Sequence, residues 1–336
     1  MNLLVISNNP HRASFKQRIE IYLAMLRDNG IHCEVARLPA GSLARSRVFA
    51  RAQNFDGVVL HKKGLNFFDA FWLRQHSRRM IYDFDDAVMY SPKTPERDSF
   101  SRLRRFRRSV QAADLVIAGN SYLAAQARRF SPHVEIVPTG LNVDDYQART
   151  DVESDGKIRL VWIGSRTTLR YLAEIVPALG KVGSQFSHVV LRIICDDFLD
   201  VPNLRVEKCQ WFSDKQAADL AACDIGLAPL PDNRFTRGKC GFKVLQYGAC
   251  GLPVVASPVG VNAEYVVDGV TGFHARSIPE WIDTISRLVT NRQLRMQMGR
   301  EGRVKVERFD VKIIGEQLLG LLKRHLNSAG AESCKG

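Results

Sequence analysis

The sequence predicts an α/β fold built on two doubly wound parallel sheets, and three observations carry that prediction. Short apolar runs rich in β-branched residues alternate with amphipathic helical stretches through both halves of the chain. A polar, acidic interval over 144–157 interrupts the alternation and reads as a linker. The 336 residues leave room for two ordinary domains with sizeable cores. The expected division is 1–150 and 151–309, with a small, polar and frayed tail at 327–336.

In the first half, residues 3–6 form a buried strand, and 14–29 a helix closed by Gly30. Further strands follow at 33–38, 57–60, 80–82, 115–117 and 134–137, the last running into the turn Pro138-Thr139-Gly140. The second series opens with a strand at 158–163 and Gly164, and continues at 189–195, 204–206, 225–228, 254–255 and 272–273. Helices fit at 168–181, 214–222, 242–250, 279–290, 293–308 and 313–326.

Hydrophobic content of 45% with 25% charged residues is that of a globular chain and excludes a disordered one. The apolar start is too short for a signal peptide and lacks its basic flank. No run approaches the ~20 apolar residues of a spanning helix. Seven cysteines (Cys33, Cys195, Cys209, Cys223, Cys240, Cys250 and Cys334) are odd in number and form no C-x-x-C pair. Buried free thiols in a reducing cytoplasm are the expectation.

The net charge of +13 is uneven: residues 1–150 carry 23 Lys+Arg against 14 Asp+Glu. Arg102, Arg104, Arg105, Arg107 and Arg108 interleave with Leu103 and Phe106, which on a helix gives a basic surface with an apolar seam. Arg104, Arg105 and Arg108 are the candidates for contact with anionic lipid or with an acceptor at the membrane surface. The alternative is a solvated basic helix whose Leu103, Phe106 and Val110 face the core. No zinc-finger spacing, RNP-like motif or GXXG loop points to nucleic acid, and none is expected as a partner.

The most informative stretch is 238–275. It is led in by Arg234, Arg237, Lys239 and Lys243, four cations in ten positions without a carboxylate. Gly251 and Pro253 end the helix that follows. Lysines at a helix N-terminus face the positive end of its dipole. A bound phosphate would resolve that conflict, shared between lysines and backbone N–H groups; side chains splayed into water are the alternative. Gly251, Pro253, Val254, Val255, Ala256, Gly260, Glu264, Asp268, Gly269 and Gly272 match the sugar-donor segment of retaining GT-B glycosyltransferases (group 1, family 4-like), which the stretch resembles. That family has two glutamates where this chain has Gly238 and Gln246. Lys239, Lys243, Gln246 and Tyr247 resemble a branch with Lys-x-x-x-Lys-x-x-Gln-Tyr instead. Gln246 can hydrogen-bond a ribose hydroxyl but supplies no negative charge.

The resemblance covers nearly the whole chain and implies two Rossmann-like domains facing a central cleft. The second would bind a UDP- or GDP-sugar and the first an acceptor, with a helix at about 310–326 packing back on the first. It implies a sugar-donor site of Gly164, Arg166, Arg170, Lys239, Gly241, Phe242, Lys243, Val244 and Gln246, with cations from two loops of one domain converging on the diphosphate. A helix cap built from Ser165 or Thr168 accounts for 164–170 equally well. No metal and no cofactor are expected.

Asp83-Phe84-Asp85-Asp86 follows the strand at 80–82, and three carboxylates at a strand end repel unless a cation or a hydroxyl-rich ligand sits there. A D-x-D can hold Mg²⁺ or Mn²⁺ under a nucleotide diphosphate, as in GT-A enzymes; it can be a HAD-type nucleophile; or it can be the Asp-x-Asp-Asp of the GT-B branch, facing the transferred sugar. The third is favoured, because HAD enzymes want Thr or Val at Ala87 and the GT-A reading leaves 238–275 unexplained. Asp85 or Asp86 then carries the catalytic role. Ordinary loop pairing with Lys93 or Arg78 is the remaining reading. Residues 118–123 and 137–141 also resemble the family and would shape the cleft floor and hinge. Asn8, Asn9, Arg12 and Arg18 follow the first strand, and Trp211 would flank a base or sit in the core.

The function expected is a cytoplasmic hexosyltransferase-type enzyme. It would move sugar from a UDP- or GDP-sugar to a saccharide or lipid-linked acceptor in cell-surface glycan assembly, with peripheral contact at the inner face of the membrane. Two rivals stand beside it: a metal-dependent transferase or phosphoryl-transfer enzyme using Asp83, Asp85 and Asp86, and a non-catalytic nucleotide- or polyanion-binding protein.

Overall fold

The computed structural model describes residues 1–148 and 155–327. The middle of the expected linker and the tail beyond Asn327, with Cys334, lie outside the described residues. The chain divides into two compact units. One holds Met1–Gly140, Asn233–Cys240 and the chain from Val311; the other holds Leu141–Asp232 and Gly241–Asp310.

The first unit is built on a parallel sheet of β1 (Asn2–Ser7), β2 (His32–Arg37), β3 (Gly57–His61), β4 (Met80–Phe84), β5 (Leu115–Ala118) and β6 (Val134–Ile136), in the order β2-β1-β3-β4-β5-β6. Strands β3, β4 and β5 are buried on both faces, as continuous apolar runs in parallel sheets should be. Alternate residues serve opposite cores: Leu4, Ile6, Leu60, Tyr82 and Phe84 on one face, Leu3, Val5, Val59 and Ile81 on the other.

The expected helix over 14–29 is three pieces: α1 (Ala13–Phe15), a π-helical turn Lys16–Glu20, and α2 (Ile21–Asp28). The π turn carries the buried Arg18, in keeping with the tendency of such turns to mark functional positions. Two helices that the apolar pattern did not suggest, α3 (Ser42–Ala50) and α4 (Phe67–His76), pack together. Both are weakly amphipathic, and α4 leaves Phe67, Phe68 and Phe71 exposed. Helices α5 (Phe100–Ala112) and α6 (Ser121–Arg128) complete this half of the chain, α6 capped by the Asn120 side chain. The C-terminal helix, Val311–Asn327, buries Ile314, Leu321, Leu322 and Leu326 in this unit's second core.

In the second unit the sheet order is β12-β11-β10-β7-β8-β9, with β7 (Ile158–Ile163), β8 (Val189–Cys195), β9 (Arg205–Gln210), β10 (Ile225–Ala228), β11 (Val254–Ala256) and β12 (Gly272–His274). The helix expected at 168–181 is broken into α7 (Leu169–Ala173) and α8 (Val176–Gln185), because Pro177 starts a new helix and cannot continue the old one. Strand β9 outruns the expected 204–206, its Lys, Glu and Gln lying on a half-exposed edge without an apolar run. Helices α9 (Gln216–Ala221), α10 (Phe242–Ala249), α11 (Asn262–Tyr265), α12 (Ile278–Thr290) and α13 (Arg292–Glu307) complete it.

Each sheet reverses direction beside its first strand, between β1 and β3 in one unit and between β7 and β10 in the other. Those are the switch points outside which α/β proteins bind ligands. Cys33, Cys195, Cys209, Cys223, Cys240 and Cys250 are free thiols, and Cys195, Cys223 and Cys250 are buried. Among the described residues no helix is long and apolar enough to cross a membrane.

Candidate active site

The carboxylates at the end of β4 are held by cations of this same unit. Parallel register sets His61 of β3 opposite Asp83, whose side chain points into the sheet's end. Asp83 accepts from Arg18 Nη2 at 2.7 Å and from His61 Nδ1 at 2.9 Å. Burial alone would raise this carboxyl, but the Arg18 charge and the His61 hydrogen bond hold it down at about 2. Arg18 also donates to the Val137 carbonyl at 2.6 Å.

Lys62 occupies the left-handed region at φ +55, an uncommon conformation for a residue with a side chain. Its ammonium lies 2.6 Å from both Asp85 Oδ1 and Asp86 Oδ2. The Asp85 contact is an ion pair outside hydrogen-bond alignment. Burial works against the Asp85 charge, and Lys62 holds its carboxyl below the ordinary range. Asp85 is buried, whereas Asp86 keeps 29% of its side chain exposed. Lys93 and Arg78 take no part in the cluster; Arg78 lies instead by Asp56.

The second lysine on Asp86 is Lys239, at 3.1 Å. Lys239 therefore belongs to the first unit and not, as expected, with Lys243 in one domain. The reason is local packing. A Cβ at Gly238 would meet Ala87 and Leu123 at 2.8 Å, so the backbone comes closer there than any other residue allows. A glutamate, which the resembled family has at this position, has no space. Asn120 fixes the same segment by donating to the Lys239 carbonyl, and Phe235 packs on the first core. Gly119 likewise lets Asp85 approach, since its Cβ would lie 2.9 Å from Asp85 Cα.

Asp86 opens onto a cavity of about 930 Å³ at the first sheet's switch point, lined by Asn8, Asn9 and Arg12 after β1, by His61 at the end of β3 and by Lys62 just after it. Helix α5 divides the expected arginine surface. Arg102 and Arg105 line the cavity, Arg104 lies over the Phe100 ring and Arg107 over Phe130, while Phe106 and Val110 are buried.

In the second unit, Lys243 lies with its ammonium 4.4 Å from the centroid of the Trp162 ring. Trp162 is fully buried at the end of β7, and Gly164 is needed beside it, since a Cβ there would come within 2.4 Å of the ring. Gly241 precedes α10 at φ +65, followed by half-buried Phe242 and buried Val244. Gln246 is buried and donates its amide to Tyr146 Oη at 3.0 Å and Gln216 Oε1 at 3.2 Å. Over 165–168 the helix cap is present: Ser165 and Thr168 cap each other. Arg166 pairs with Asp197, and Arg170 lies over the Tyr171 ring. Trp211 is half-buried and donates to Gln216.

The structure thus brings Gly164 and Lys243 together through Trp162, and Asp85 and Asp86 through Lys62, with Lys239 joining them on Asp86. Sequence reasoning missed Lys62, His61 and Trp162. Lys62 and His61 carried a usable signal, since polar residues directly following a buried strand in a parallel sheet face the ligand end.

Residues 157–291 match the family described as glycosyl transferases group 1. Comparison with curated protein sequences gives no match. Among solved structures, sucrose-phosphate synthase from Thermosynechococcus elongatus is similar with a TM-score of 0.75 at 18% identity, over 98% of this chain and 99% of that one. HepE from Anabaena, in complex with UDP and glucose, gives 0.72 at 19% identity over 96% and 100%. WaaG, a glycosyltransferase involved in lipopolysaccharide biosynthesis, gives 0.67 at 16% identity over 95% and 99%. The shared fold is the two-domain, Rossmann-like GT-B arrangement.

Proposed function

We propose that this chain, with its group 1 match over 157–291 on a GT-B fold, is a glycosyltransferase that moves a hexose from a UDP- or GDP-sugar to a hydroxyl acceptor with retention. The observation that carries the reading is Lys243, set over buried Trp162 at the second sheet's switch point within the matched region. HepE, of the same fold, was crystallised with UDP and glucose, which supports a nucleotide-sugar. The Lys243 charge and the α10 backbone N–H groups stabilise the leaving diphosphate, joined by Arg166 and Arg170 from the segment that follows Gly164. The bond between the sugar's anomeric carbon and the diphosphate oxygen breaks ahead of attack, the acceptor hydroxyl enters on the face the diphosphate vacates, and its proton passes to the departing diphosphate oxygen. Of the two candidate carboxylates, Asp86 is the one open to a cavity that can hold an acceptor, and Asp85 supports it by fixing Lys62. Exposed Phe67 and Phe68, and exposed Phe100 with Arg104 over its ring, suit an anionic membrane surface that presents the acceptor. Screening nucleotide-sugars for protection against heat unfolding tests the reading. A true sugar donor at a hundred times its Kd stabilises by about 2.7 kcal/mol, and no protection by any UDP- or GDP-sugar would refute it.

Metal independence is part of this proposal. Asp83, Asp85 and Asp86 already pair with Arg18, Lys62 and Lys239, and His61 hydrogen-bonds Asp83, so a divalent cation would have to displace built-in positive charge. Turnover is expected to survive EDTA. Loss on chelation with recovery on Mn²⁺ or Mg²⁺ would transfer these carboxylates to the metal-dependent rival.

A further inference from the structure

The cavity of the first unit is far more basic than acceptor binding to a neutral sugar requires. Arg12, Arg37, Lys62, Lys63, Arg102 and Arg105 line it, against the single carboxylate of Asp86. They arrive from four places: the loop after β1, the end of β2, the loop after β3 and the first turns of α5. Lys62 is answered by Asp85 and Asp86. Among the described residues no carboxylate forms an ion pair with Arg12, Arg37, Lys63, Arg102 or Arg105. Burial, together with the Arg45 and Arg105 charges, pushes the half-buried Lys63 below the ordinary lysine range. Like charges converging on one concavity repel, and anionic groups within it would relieve that repulsion. The volume of about 930 Å³ is at the upper end for small-molecule sites and admits more than one sugar ring. Asn8, Asn9 and Ser101 add neutral hydrogen-bonding groups of the kind that read hydroxyls.

We infer that this cavity binds an acceptor carrying phosphate groups, a phosphorylated saccharide, with Arg102, Arg105 and Lys63 holding the phosphate and Asp86 at the reacting hydroxyl. The inference rests on the glycosyltransferase reading and names the class of acceptor. Phosphate on a soluble saccharide and phosphate in a lipid headgroup share this chemistry, and the test separates them.

Inorganic pyrophosphate is titrated calorimetrically into the full chain carrying K243A, which removes the sugar-donor lysine from the measurement. Adding R102Q and R105Q together should weaken binding about a hundredfold, and adding K63Q alone about tenfold, as expected for charge-assisted phosphate contacts. Both arginines are exposed, so their replacement is expected to leave the fold intact. In parallel, R104Q with R108Q should reduce binding to phosphatidylglycerol vesicles while leaving pyrophosphate affinity within threefold. Pyrophosphate affinity indifferent to Arg102, Arg105 and Lys63 overturns the inference. So does the converse pattern, in which R102Q/R105Q changes only vesicle binding and assigns these arginines to lipid. Nucleoside diphosphate protection, measured on the same R102Q/R105Q change with Lys243 intact, should be unaltered. Absence of that protection in the unsubstituted chain counts against the glycosyltransferase reading and leaves the cavity result standing.

Discussion

Lys243→Ala is expected to abolish sugar transfer and to weaken nucleoside diphosphate binding ten- to a hundredfold, leaving nucleoside binding almost unchanged. A charge-assisted contact to phosphate is worth about 1.5–3 kcal/mol, which sets that range. The fold should tolerate the change. Truncation takes an ammonium off the face of the Trp162 ring, where such an interaction is worth about 0.5–2 kcal/mol, while the neighbouring Val244, Leu245 and Tyr247 stay buried. Titrating UDP and uridine, or GDP and guanosine, into both proteins separates the phosphate from the base. Equal losses for nucleotide and nucleoside would remove Lys243 from the phosphate site. Arg170→Ala, if it shares that phosphate, should show the same asymmetry.

Arg18→Met is expected to destabilise the chain by about 3–5 kcal/mol at pH 7. Removing one member of a buried ion pair leaves the other charged and uncompensated. Asp83, only 4% exposed, would keep His61 alone, and the Val137 carbonyl would lose its donor. The pH dependence has a definite sign. The Asp83 carboxyl is depressed to about 2 from an ordinary 3.8, so its contribution is fully present above the ordinary carboxylate range. It is lost as the pH falls through about 2. The gap between the two proteins, measured by urea unfolding, should therefore be widest near neutrality and narrow below about pH 4. A loss under about 1 kcal/mol at pH 7 would show that His61 alone can hold the buried charge.

Most of the fold was legible because parallel strands buried on both faces leave continuous apolar runs, as Leu115–Ala118 and Ile225–Ala228 do. Edge strand β9 was legible only in its first residues, since half-exposed backbone pairing needs no apolar side chains. The carboxylates 83, 85 and 86 were visible as types in a row, but not their partners. Arg18 lies 65 residues from Asp83, and Lys239 lies 153 from Asp86, separations that no local pattern reports. Gly238 was visible as a departure from a family's glutamate; its cause, the approach of Ala87 and Leu123, exists only in three dimensions. Arginines that look alike in a run of seven, 102–108, part company once α5 has one buried face.

The membership of residues 233–240 and 311–327 in the first unit has a consequence for synthesis. A ribosome delivers all six strands of β1–β6 before any residue of the second unit, yet Ile314, Leu321, Leu322 and Leu326, which cover one face of that sheet, emerge last. Until then Leu3, Val5, Val59 and Ile81 lack part of their cover, and Lys239 has not yet reached Asp86. The nascent first half must wait, apolar face partly bare, while some 170 further residues are made. It is during this interval that chaperone capture or aggregation competes with folding. Any shortened version ending near residue 140 would be trapped in that state.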